Sequence, residues 1–168
     1  MILEKLTQTE DYLHSIVLDL YYQIQTEDMD KKLSEVFTSY KQVHLQYSLL
    51  AEDDSEALKR GLFIQWYALT EPNYLSGINE VDEQAELRII SLIDERIGNS
   101  TLDSELHWML NYYATWDFVF QKFPEFSNLK EFVERAKPNR LPEKIERQAM
   151  DKRGQMGKYW NSLNVFKE

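Results

Sequence analysis

The sequence predicts an all-α fold, a single domain of six to seven mostly antiparallel helices over residues 1–168. Three observations point there. Apolar residues recur every three or four positions through most of the chain. No stretch of five or more residues alternates in the strand pattern with β-branched side chains. Only 5 Gly and 4 Pro punctuate 168 residues, too few for the many turns of a β-sandwich. A hydrophobic fraction of 43% and an aromatic fraction of 13% exclude a disordered chain. No apolar run approaches the roughly 18–20 residues that a membrane span needs.

The first helix is read over 3–25, with Leu6, Leu13, Ile16, Val17, Leu20 and Ile24 as its apolar stripe. Leu33, Val36, Phe37, Tyr40, Val43, Tyr47 and Leu50 define the second. The acids Glu52, Asp53 and Asp54 then suit the positive N-terminus of the third. That helix carries Leu58, Leu62, Trp66 and Leu69, and Phe63, Ile64 and Tyr67 widen its apolar face, which predicts a central position. Glu71 to Gly77 reads as a loop. Asn79 is the expected cap of a fourth helix with Leu87, Ile90, Ile93 and Ile97 buried. Gly98-Asn99 stops it. Ser100 or Thr101 is expected to cap a fifth helix reaching Phe120. A short sixth runs from Leu129 to Ala136, closed before Pro138. Pro142 is expected at the first position of a seventh, with a kink or an end near Gly154.

Charge is unevenly spread. The net charge is −10, which argues against nucleic-acid binding and against docking on an anionic membrane. Residues 1–129 carry 9 basic and 23 acidic side chains, a balance of −14. Residues 130–168 carry 10 and 6, a balance of +4. Residues 137–168 also keep Ile145, Met156, Trp160 and Leu163, so they read as a basic helical segment docked on the acidic body. The N-terminus is acidic and helix-patterned, unlike a secretory leader, so the expected location is cytoplasmic.

Zero Cys excludes a disulfide framework, a thiolate metal site and a Cys nucleophile. The three His are scattered and no helix carries two of them four apart, so no metal and no cofactor is expected. Arg153-Gly154-Gln155-Met156-Gly157-Lys158 lacks the spacing of a phosphate loop and reads as a helix break.

Aromatic doublets stand at Tyr21-Tyr22, Trp66-Tyr67, Tyr112-Tyr113 and Tyr159-Trp160, spaced 45, 46 and 47 residues apart. That period suits an αα-hairpin repeat, the alternative to an irregular bundle. The residues most suited to a ligand are Trp66, Tyr67, His107, Tyr112, Tyr113 and Trp116, which combine apolar walls with polar tips. The functional expectation is a soluble acidic helical protein-interaction or regulatory module with a protein partner and without enzymatic activity, and the acidity suits either solubility alone or a basic partner. The alternative is a small-molecule sensor or enzyme using an aromatic pocket between the third and fifth helices.

Overall fold

Thr26, Asp54, Asp82 and Asp103 each lie in extended backbone ahead of a helix, and each accepts a backbone N–H from its first turn. Such caps satisfy donors that the helix itself leaves unpaired, and they set four of the helix starts. A computed structural model describes residues 2–137 and 141–164. Among them are α1 (Ile2–Tyr21), α2 (Glu27–Leu50), α3 (Ser55–Thr70), the one-turn α4 (Asn73–Ser76), α5 (Glu83–Gly98) and α6 (Ser104–Tyr113). A 3₁₀ turn at Asp117–Val119 precedes α7 (Ser127–Arg135), the short α8 (Arg147–Met150) and α9 (Gly154–Asn164). The fold is an all-α single domain, with no strand among the described residues.

Several boundaries differ from the sequence reading. The first helix stops at Tyr21, so Ile24 leaves the buried stripe and becomes exposed. Asp82 rather than Asn79 caps α5, and Asp103 rather than Ser100 or Thr101 caps α6, because a carboxylate is a stronger acceptor for helix N–H groups. Leu87 turns outward, and Ala85 and Ile89 join Ile90 and Ile93 in the buried stripe. The fifth predicted helix ends at Tyr113 and continues only as turns and the 3₁₀ segment. Pro142 precedes non-helical chain, and the last helix begins at Gly154, where φ is +60°. Pro138 lies outside the described residues.

Helix α3 is the axis of the molecule. Arg60 to Trp66 are buried without interruption, the signature of a helix surrounded on all sides. It packs on α2, α4, α5 and α9, while α1 packs on α2, α4 and α9, and α7 packs on α5. Two helices borrow their N-caps from elsewhere in the chain. Asp94 of α5 accepts the Leu129 N–H of α7 at 2.8 Å. Glu10 of α1 accepts the Gln155 N–H of α9 at 3.1 Å.

The C-terminal segment meets the body through Ile145, Met150, Met156 and Trp160, all buried. Arg153 pairs with Glu56 and Glu105, and Lys158 pairs with Asp11. Lys144 instead pairs within its own segment with Glu146, and Arg147 is exposed.

Candidate functional site

Trp66 and Tyr67 close α3, Tyr112 and Tyr113 close α6, and Trp116 stands in the turn that follows. The fold brings these five together with Tyr159 and Trp160 of α9, so three of the four doublets meet in one cluster. Trp66 stacks on Tyr113 at 4.8 Å and meets Trp116 and Tyr159 edge-on at 5.3 and 5.1 Å. Tyr112 lies 5.0 Å from Trp160, and its hydroxyl is 2.6 Å from that of Tyr159. Offset and edge-to-face rings of this kind gain about 0.5–1.5 kcal/mol per pair beyond their buried area. Burial raises the Tyr67 phenol to about 12, helped by the Glu71 carboxylate. Trp66, Tyr113 and Trp160 are buried, whereas Tyr67, Tyr112 and Trp116 are half-buried.

His107 does not join them. It is exposed, with its ring 5.4 Å from Phe132, beside a groove of about 430 Å³ that Asn111 and Arg135 also line. The other two His lie apart, His14 half-buried on α1 and His44 fully buried on α2. Among the described residues no three His, Cys, Asp or Glu side chains are grouped to hold a metal ion.

A buried polar network was not anticipated from the sequence. Tyr47 donates its hydroxyl to Glu10 Oε1 at 2.6 Å, and Glu10 Oε2 holds the start of α9. Arg60 donates to Thr7 Oγ1 and to Glu56 Oε1, both at 2.7 Å. Arg153 forks onto Glu56, with Nε at 2.7 Å, and onto Glu105 at 2.6 and 3.0 Å. Burial pushes the Glu10 carboxyl above its ordinary value, against the donors from Tyr47 and Gln155. Burial also pushes Glu56 and Glu105 upward, but the Arg153 guanidinium outweighs it and holds both below the usual range. The network joins α1, α2, α3 and α6 to α9 and acts as a clasp. Its signal in the sequence was Glu10 itself, a charge set on the same helical face as Leu6, Leu13 and Val17.

The fourth doublet is different. Tyr21 and Tyr22 meet edge-on at 5.3 Å at the exposed end of α1. Tyr22 is 83% and Ile24 90% exposed, and Leu18 is exposed beside them. A groove of about 360 Å³ opens there between Leu20, Tyr21, Met29, Leu33 and Tyr74. Asp19, Glu27, Asp28, Asp30 and Glu35 are exposed on the same helix ends, against Lys31 and Lys32, and Lys32 is paired with Asp28 at 3.2 Å.

No protein-family model, curated protein or solved structure matches this chain. Among the described residues no helix is long and apolar enough to cross a membrane.

Proposed function

We propose that this protein is an interaction module that binds a basic protein partner through the acid-ringed apolar end of α1 and α2. The observation that carries the reading is the joint exposure of Tyr21, Tyr22 and Ile24 beside a groove whose apolar walls are joined by Gln23, Gln25 and Asp30. Clustered exposed apolar side chains mark interaction sites, and Tyr is among the residues that dominate binding energy. The surrounding carboxylates favour a cationic partner and speed its encounter. A small molecule bound among Trp66, Tyr67, Tyr112, Tyr113 and Trp116 would require rings now in mutual contact to part.

Photo-crosslinking tests the reading. A benzophenone side chain at position 22 should capture one discrete partner of high isoelectric point in cells that make the protein. The same group at Phe118, exposed elsewhere, should not capture it. Equal capture at both positions would contradict the assignment.

A further inference from the structure

A cleft of about 930 Å³ opens where the chain from Asn79 to Asp82 passes between the end of α3 and the start of α5. Its walls are of two kinds. Leu69, Val81 and Leu87 supply aliphatic surface, and Leu69 and Leu87 are exposed. Glu80 and Glu83 supply carboxylates that carry no ion pair among the described residues. The other charges of the cleft are largely engaged. Glu86 is held by Lys122 at 2.5 Å, and Asp82 gives one oxygen to the Ala85 N–H. Lys41, half-buried on the wall, is the remaining cation.

Gln65 also lines this cleft and is only 4% exposed. Its amide nitrogen donates to the Glu86 carbonyl at 3.2 Å and lies 3.1 Å from His44 Nε2. A carbonyl can only accept, so the nitrogen end of the amide is fixed and the oxygen is the end left over. Burial lowers the His44 imidazole to about 4, so it is neutral and its Nε2 accepts from Gln65. Gln65 Oε1 has no partner among the described residues. A buried acceptor without a donor is costly.

We propose that this cleft receives an arginine side chain from the basic partner. Its aliphatic stem would lie on Leu69, Val81 and Leu87, its guanidinium would bridge Glu80 and Glu83, and a small shift of the Gln65 side chain, whose Oε1 is closed to solvent in the free protein, would bring that oxygen to one of the guanidinium donors. Several fixed donors on one planar head suit acceptors spread over rim and floor, and a stem that is apolar up to its charged tip suits the mixed walls. The proposal rests on the basic-partner reading only for the source of the arginine. The cleft uses none of the residues at the Tyr21–Ile24 end.

The test is an NMR titration of the ¹⁵N-labelled full chain with N-acetyl-arginine N-methylamide, with the neutral citrulline analogue as control. Arginine should give saturable shifts confined to the amides of 79–87 and the Gln65 side-chain NH₂, and citrulline should bind at least about tenfold more weakly. Glu80→Gln with Glu83→Gln should weaken arginine about tenfold with only a small fall in melting temperature, since both are exposed and, of the two, only Glu83 stands in the first turn of α5. Tyr21→Ser with Tyr22→Ser should leave the titration unchanged. Equal shifts with citrulline, shifts scattered over the acidic surface, or indifference to the double Glu variant would each overturn the site. Failure here with continued binding at residue 22 would leave the partner reading intact. Arginine binding here with no capture at residue 22 would remove that reading and keep the cleft.

Discussion

Leu106 and Ile93 have no measurable exposure, and both stand on stripes that the sequence assigns to the core. Truncating either to Ala removes buried methyl groups and leaves a cavity, so each should cost about 2–5 kcal/mol in denaturant unfolding. A loss below roughly 1 kcal/mol at both would mean that the core lies elsewhere. Gly154 sits at φ +60°, and a Cβ there would meet Glu10 Oε1 at 2.3 Å. Gly154→Ala should cost at least about 1–2 kcal/mol from the left-handed backbone alone. Arg153 is the centre of the clasp. Breaking one side of a fully buried ion pair costs about 3–5 kcal/mol. The carboxylate side chains of Glu56 and Glu105 are 24% and 27% exposed, so Arg153→Met should cost roughly 2–3 kcal/mol, read by the same unfolding curves.

At the scale of the element, the molecule depends on contacts between residues distant in sequence. α9 starts on the carboxylate of Glu10, 145 positions away, and α7 starts on Asp94. These caps explain what the sequence hid. A local signal marks the start of α3, where the acids before Ser55 stand beside the helix they serve, and Thr26 stands equally close to α2. Gly154 marks the break at the start of α9, but the sequence alone cannot show that a residue of α1 is its cap. The same limit applied to the candidate site. Five of its six residues could be chosen from aromatic density on two helices, and they do converge. His107 was chosen by proximity in sequence, but three residues before Leu110 on a ten-residue helix it faces Phe132 instead. Tyr21-Tyr22 matched the other doublets in spacing, yet the helix ends at Tyr21 and leaves the pair outside. The C-terminal segment yields the element's own prediction. Trypsin should cut slowly after Arg153, which is buried, and removing residues 141–168 should lower the melting temperature by several degrees, since Met156 and Trp160 leave with it. Rapid cutting with an unchanged melting temperature would make the segment a free arm.

For the whole molecule, the −10 charge sets two behaviours. The first is the response to acid. Burial raises Glu56, Glu105 and Asp103, but their ion pairs and hydrogen bonds outweigh it and depress all three in the folded state. Their stabilisation is fully present above the unfolded values of 4.5 and 3.8 and is lost as pH falls through the lower folded values. Glu10, raised by burial, acts with the opposite sign: its folded form holds a proton to higher pH, so its ionisation costs stability as pH rises. The melting temperature should therefore fall as pH drops from about 5 to about 3, and Glu56→Gln with Glu105→Gln should flatten that limb. A limb of unchanged slope in the double variant would remove the clasp from the account.

The second behaviour is attraction for a cation-rich partner, and it tests the central claim. The decisive measurement is the affinity of the partner captured at residue 22, purified, for the wild-type chain and for Tyr21→Ser with Tyr22→Ser, at low and physiological salt. The account predicts at least about a tenfold loss in the variant, because two exposed aromatic anchors are removed, and a Kd that rises with salt for both proteins. An affinity that is the same in the two proteins, or indifferent to salt, would contradict it.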